Sequence, residues 1–231
     1  YAFTQEQLVD IKKHPKIFMG FSDITSLLIA INKKTGVETF HGPMAIQPWP
    51  EFKVTYLKAV LFDGSEVTFE NRQIPPDPKV DIIQTKNRIT TLTGGIASGP
   101  LIGGNLSVLV SLMGTEYEPD WQGRILFVED IGENNYKIDR LLSQLELAGV
   151  FEKINGFIFG ECTDCKVAKK SYGSKNLRQI LRHYTNASKV PAFMVAMIGH
   201  EPLNLTLPEG LVVEINADAG TIKLLESAVI K

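Results

Sequence analysis

The residues best placed for acid–base chemistry are Glu129, Asp130 and His200. Glu129 and Asp130 close the apolar run 124–129 (RILFVE). The last residues of a strand in an α/β protein face the crevice where ligands bind. A carboxylate there can orient a histidine and stabilise its charged form, although strand ends also carry acids that only cap the next turn. His200 follows the apolar run 192–198 and Gly199, and precedes Glu201-Pro202. Histidine titrates near neutrality, and one on a loop punctuated by Gly and Pro suits a general base. The competing role is a half-buried histidine bonded to backbone. His41, in Phe40-His41-Gly42-Pro43, ends a predicted strand and could approach the same site. His14 sits before a proline in a helix-ending turn, and His183 at an exposed helix end, so both carry less weight.

Gly103-Gly104-Asn105 opens a predicted helix. Paired glycines let a backbone approach closely, and a helix N-terminus offers free N–H groups to an anion such as a carboxylate. A tight turn with an Asn cap is the simpler account. Gly20-Phe21-Ser22-Asp23 lies at a strand-to-helix junction, the location of a nucleophile elbow. That motif has a second glycine two residues after the serine, where this chain has Ile24. An N-cap serine accounts for Ser22 without chemistry. Cys162 and Cys165 are the only two cysteines. Zinc would need two further ligands at suitable spacing, and one close pair is no disulfide framework, so a reducing compartment is the default. No phosphate-binding glycine motif is present.

The elements that must position these residues follow from periodicity. Thr4 and Gln7 form a capping box for a short helix over 4–12, ended by His14-Pro15. Residues 16–21 (KIFMGF) read as a strand and 23–32 as a helix with Ile24, Leu27, Leu28 and Ile31 on one face. Residues 37–40 read as a second strand, completing the βαβ pattern of a parallel sheet. A helix over 52–61 and a turn at Asp63-Gly64 follow, then the extended linker Ile74-Pro75-Pro76-Asp77-Pro78. Beyond it come β-rich segments at 89–92 and 98–102, helices over 105–113, 136–148 and 176–184, and strands over 124–129 and 156–160. Residues 211–216 and 221–226 flank Ala217-Asp218-Ala219-Gly220, a hairpin signal. The expected fold class is α/β, with a first unit over 1–72, a linker over 73–97 and a second domain over 98–231.

The chain has 231 residues, of which 44% are hydrophobic and 22% charged, with a net charge of −2. That is ordinary globular composition and can bury a real core. No basic block marks a nucleic-acid partner, and no apolar run approaches the roughly 20 residues that span a bilayer.

Seven blocks in order resemble one family: residues 15–25 (PKIFMGFSDIT), 40–43 (FHGP), 100–106 (PLIGGNL), 125–133 (ILFVEDIGE), 136–140 (YKIDR), 160–165 (GECTDC), and Gly199-His200 with 204–208 (NLTLP). Together they are similar to the LD-carboxypeptidase family of serine peptidases, which includes muramoyl-tetrapeptide carboxypeptidases and microcin C self-immunity peptidases. The resemblance implies an N-terminal α/β domain, of which the unit over 1–72 is a remnant, joined to a C-terminal swivelling β/β/α domain, with a Ser, Glu and His triad in the cleft between them. It maps Glu onto Glu129 and His onto His200, and implies that the serine follows a glycine pair upstream of residue 1, so that this chain alone is inactive.

The same resemblance implies hydrolysis of the L,D-peptide bond of muropeptides, with release of a C-terminal D-amino acid, in cytoplasmic murein recycling by a homodimer. No cofactor, metal, nucleic acid or membrane is expected; the partner is a muropeptide or another peptide with a free carboxylate. Gly103, Gly104, Asn105, Ser22 and Asp23 are expected at the substrate, with Asp130 and Arg140, together with Asp139 and Glu133, supporting the Glu129 loop. The microcin C branch, which cleaves an aminoacyl-nucleotide analogue, carries tryptophans in an insertion between the domains. Here the tryptophans are Trp49 and Trp121, outside that linker, which favours the muropeptide branch. Two other readings compete: a non-catalytic peptide-binding module, and an independent hydrolase with Ser22 as nucleophile.

Overall fold

The computed structural model describes residues 3–64, 66–72, 87–166 and 175–229. The proline linker at 74–78 lies outside the described residues. The chain opens with α1 (Gln5–Lys13), whose capping box joins Thr4 and Gln7 as the sequence predicts. Strand β1 (Met19–Gly20) leads through a 3-10 turn (Ser22–Ile24) into α2 (Thr25–Thr35), and β2 (Thr39–His41) returns parallel to β1. Gly36, at φ 73, ends α2 in the left-handed region that favours glycine. The βαβ unit is therefore present, but its third strand is β9 (Leu207–Glu209), antiparallel to β2 and far away in sequence.

The remaining strands build one eight-stranded mixed sheet. They are β3 (Thr68–Phe69), β4 (Thr90–Thr93), β5 (Ile96–Asn105), β6 (Ile125–Ile131), β7 (Gly156–Thr163), β8 (Ala192–Met194), β10 (Val212–Asn216) and β11 (Thr221–Leu224), in the order β3-β11-β10-β5-β6-β7-β8-β4. Strands β5 to β8 run parallel, and the central β6 reads as a continuous apolar run because both faces are covered. One face packs on α4 (Leu106–Ser111), α5 (Asn135–Leu147), α6 (Val150–Lys153) and α7 (Leu177–Ser188), burying Leu126, Val128, Ile138, Leu142, Phe157 and Leu181. The other buries Phe127, Ile158, Phe193, Val213 and Ile222. The fold is mixed α/β.

Strand pairing crosses the expected domain boundaries. β3 and β4, from the segments read as remnant and linker, join the large sheet, while β9 leaves the C-terminal segment for the small one. The Asp63-Gly64 turn closes no local hairpin, since β3 pairs with β11 across the chain. The hairpin around 217–220 forms as its spacing predicts. The helix α3 (Glu51–Lys58) continues as a π-type turn over Ala59–Asp63. Cys162 and Cys165 are joined by a disulfide, where the sequence suggested unlinked cysteines. The cause is a tight turn after β7, in which the Cys165 N–H donates to the Cys162 carbonyl and Asp164 takes φ 53. Among the described residues no helix is long and apolar enough to cross a membrane.

Candidate active site

Glu129 and His200 meet. His200 Nδ1 lies 2.8 Å from Glu129 Oε2, and Glu129 is fully buried. The β6–β7 register shifts between Val128 and Asp130, a bulge that re-aims the residue between them. The second carboxylate oxygen accepts from Asn105 Nδ2 at 3.3 Å. Asp130, 2% exposed, is spent on support: it accepts from the Ser107 N–H and hydroxyl, from the Ile131 N–H and from Asn105 Nδ2. Asn105 also caps α4 by accepting from the Val108 N–H. One side chain thus joins both acids to the end of β5.

The loop carrying His200 is braced by residues that the sequence reading did not single out for it. Asn71 donates to the Val195 carbonyl at 2.6 Å and accepts from the Met197 N–H at 2.9 Å. Val195 takes φ 71, an outlier for a β-branched residue. Asn204 accepts from the Gly199 N–H. Gly199 itself has φ 131, and a Cβ there would lie 2.8 Å from Glu129 Oε2. Gly199→Ala is therefore expected to destabilise the protein by about 2 kcal/mol or more, combining backbone strain with displacement of the buried acid. Thermal denaturation checks this, and an unchanged midpoint would mean that the loop relaxes freely.

Ser22 follows a residue that packs on this pair. Phe21, the preceding residue, packs edge-on against the His200 ring with centroids 4.8 Å apart. Ser22 takes φ 60 as the first residue of the 3-10 segment, just after β1. The cap that its type suggests is not made: neither the 3-10 segment nor α2 begins with a side-chain cap hydrogen bond. A non-glycine residue held at positive φ costs about 1–3 kcal/mol and persists where its surroundings impose it. The missing second glycine also finds its reason. A Cβ on Gly20 would lie 2.7 Å from Ile24 Cγ2, so Gly20 yields the space that Ile24 takes.

The glycine pair does not form an open anion site. Gly103 and Gly104 are buried, and a Cβ on Gly104 would meet Thr25 at 2.5 Å. The Asn105 N–H is already donated to Thr25 Oγ1 at 3.0 Å. The bare Gly104 lets α2 approach β5, while the bare Gly103 admits the Phe127 carbonyl of β6. Asp23 is exposed at that turn, where its carbonyl accepts from the Ser26 hydroxyl. Arg140 lies elsewhere, stacked 5.1 Å over the Tyr136 ring on the outer face of α5. Glu133 pairs with Lys137 one helical turn along, and Asp139 accepts from the Tyr184 hydroxyl, so the support expected from all three goes to α5 and α7 instead.

His41 is fully buried between Phe21 and Phe127, and neither ring nitrogen makes a hydrogen bond among the described residues. Burial pushes its pKa down to about 3, the adjacent Asn204 side chain opposing the shift and His200 adding to it. It is a neutral wall behind His200. His14 caps the end of α1, and His183 is exposed on α7, packed edge-on to Tyr184. A cavity of about 550 Å³ opens in front of His200, walled by Gln47, Pro48, Trp49, Pro50, Lys53 and Glu201. Among the described residues no group of three His, Cys, Asp or Glu could hold a metal ion.

Comparison with known proteins gives this arrangement a family. Residues 4–42 match the LD-carboxypeptidase N-terminal domain and residues 98–215 its C-terminal domain. The chain is 37% identical over 212 residues to a probable murein peptide carboxypeptidase of Bacillus subtilis, covering 89% of this chain and 61% of that protein. It is 30% identical over 237 residues to the microcin C7 self-immunity protein MccF of Escherichia coli, covering 92% and 66%. The chain thus spans less than two thirds of the length of these relatives. The solved structure of MccF in complex with glutamyl sulfamoyl guanosine superimposes with a TM-score of 0.80 at 27% identity, over 96% of this chain and 71% of that one. Muramoyltetrapeptide carboxypeptidase from Oxalobacter formigenes gives 0.75 at 27% identity, over 94% and 70%. With both domain models matched in order, and a buried acid joined to a histidine inside the matched segments, the chain belongs to the LD-carboxypeptidase family.

Proposed function

We propose that this protein is a serine carboxypeptidase that hydrolyses an L,D-peptide bond and releases a C-terminal D-amino acid from muropeptides, with Ser22 as nucleophile. Ser22 replaces the upstream serine that the resemblance implied. The observation that carries the proposal is the strained Ser22 turn packed, through Phe21, against the His200–Glu129 pair. A carboxylate at Nδ1 holds the proton on that nitrogen and leaves Nε2 free to act as base. Ser22 Oγ attacks the scissile carbonyl carbon as its proton passes to Nε2. The tetrahedral intermediate collapses with transfer of that proton to the leaving amine nitrogen, and water repeats the sequence on the acyl-serine. Glu129 stabilises the imidazolium in both halves. The Asp23 N–H, at the start of a helical turn where amides lack an intrahelical acceptor, would donate to the oxyanion. A relative named for murein peptides, and a structural neighbour named for the muramoyl tetrapeptide, support the substrate class.

Murein recycling would place the protein in the cytoplasm, where a reducing environment would open the Cys162–Cys165 bond. The homodimer belongs to the same proposal. A second reading, cleavage of an aminoacyl nucleotide analogue, draws support from Trp49, whose ring walls the His200 cavity and could stack on a base. One pair of assays separates these readings: D-alanine release from the muramoyl tetrapeptide, and amino-acid release from an aminoacyl sulfamoyl adenosine. In parallel, a fluorophosphonate probe is expected to add one adduct to the tryptic peptide 17–33, on Ser22. Labelling confined to other peptides, with turnover intact, would reject Ser22 as nucleophile.

A further inference from the structure

Lys53 is the one lysine of α3 that faces inward, at 2% exposure, and it lines the same cavity as His200. Lysine is almost never fully buried without a partner of opposite charge. Among the described residues Nζ finds only neutral acceptors, Gln47 Oε1 and the Pro48 carbonyl, each at 3.4 Å. Amine hydrogen bonds to oxygen centre near 2.9 Å, so both contacts are weak and the three donors are poorly used. Among the described residues no carboxylate lies within ion-pair distance of it, and Glu201, across the same cavity, does not pair with it. Burial lowers its pKa.

We infer that Lys53 is the receptor for the C-terminal carboxylate of the peptide substrate. The inference rests on the carboxypeptidase reading above and adds a specificity residue to it. In a peptide whose last residue is to be released, the carboxylate carbon lies two bonds from the scissile nitrogen. The group that binds it must therefore sit beside the base that protonates that nitrogen, and Lys53 and His200 share one cavity. Pro48, Trp49, Pro50 and Pro202 make the wall apolar, which strengthens a charge pair by excluding water. An ammonium held by weak contacts alone exchanges them for a carboxylate at little cost. An ester or amide terminus would leave the charge buried and unpaired.

The test is binding of Nα-acetyl-L-lysyl-D-alanine and of its C-terminal amide, by calorimetry, to the Ser22→Ala chain with and without Lys53→Met. Methionine matches the lysine stem and removes the charge, a change that buried sites tolerate or welcome, so the variant should fold; Lys53→Arg keeps the charge as a control. With lysine present the acid is expected to bind ~10-fold or more tighter than the amide, a difference of ~1.4 kcal/mol. Lys53→Met should bring the two within ~2-fold by weakening the acid alone, and Lys53→Arg should retain part of the preference. An acid preference that survives Lys53→Met, equal losses for acid and amide, or no binding of either peptide would each overturn the assignment. Failure of the carboxypeptidase reading shows separately, as absent D-alanine release by the unsubstituted chain.

Discussion

Replacing Ser22 by alanine is expected to lower kcat for D-alanine release by about 10⁴-fold or more, with the fold and its thermal midpoint preserved. The size follows from the role, because without Oγ there is no acyl-enzyme and only residual binding and polarisation remain. The preserved stability follows from the geometry. The Ser22 hydroxyl caps no helix, and its side chain is only half buried. Alanine at φ 60 meets the same backbone strain as serine, so the stability change should stay within about 0.5 kcal/mol. Steady-state hydrolysis and a thermal melt on the same preparation check both parts. Activity within tenfold of the parent would move the nucleophile to another residue. Loss of activity together with a collapsed midpoint would make Ser22 structural.

Glu129 and His200 were legible in the sequence because their signals are local. An acid ending an apolar run and a histidine between Gly199 and Pro202 are candidates without knowledge of the fold, and the family resemblance singles them out from their structural alternatives. Ser22 was not, because Ser-Asp ahead of an amphipathic run looks the same whether the serine caps the helix or stands on a strained elbow. Its φ and the Phe21–His200 contact are what favour the proposed elbow over the cap. Gly103 and Gly104 show the same degeneracy: a missing Cβ serves an anion or a close neighbour equally well, and the tertiary contact, Phe127 for Gly103 and Thr25 for Gly104, decides. Nothing local in the sequence marks Lys53, since its burial depends on how the loop before α3 folds back over it. Strand β9, three residues long, went unread for a related reason. Its pairing partner, β2, lies far away in sequence, and periodicity over three residues carries almost no information. The βαβ unit, α5 and the β10–β11 hairpin are longer or more local, and each was predicted.

The Glu129→Gln substitution is expected to cost about as much as loss of the serine's proton acceptor, near 10⁴-fold in kcat. Glutamine has the same shape but one acceptor and one donor group where glutamate has two acceptors. Both oxygens of Glu129 are engaged, Oε1 by Asn105 Nδ2 and Oε2 by His200 Nδ1. If the glutamine oxygen keeps Asn105, its amide turns toward Nδ1 and forces the proton onto Nε2, where the imidazole can no longer act as base. If the oxygen keeps His200, the amide opposes the Asn105 amide, and the clash spreads to Asp130 through their shared hydrogen bond. Either arrangement removes the charge that stabilises the imidazolium. Stability should respond in the opposite sense or not at all, because a fully buried carboxylate is costly to desolvate. The measurements are kcat, the rate of fluorophosphonate labelling and the thermal midpoint. Reduced turnover with slowed labelling and an unchanged or raised midpoint would mean that the acid is kept buried for the chemistry of His200. A lowered midpoint with unchanged turnover per folded molecule would make Glu129 a structural acid that holds β6 to the His200 loop.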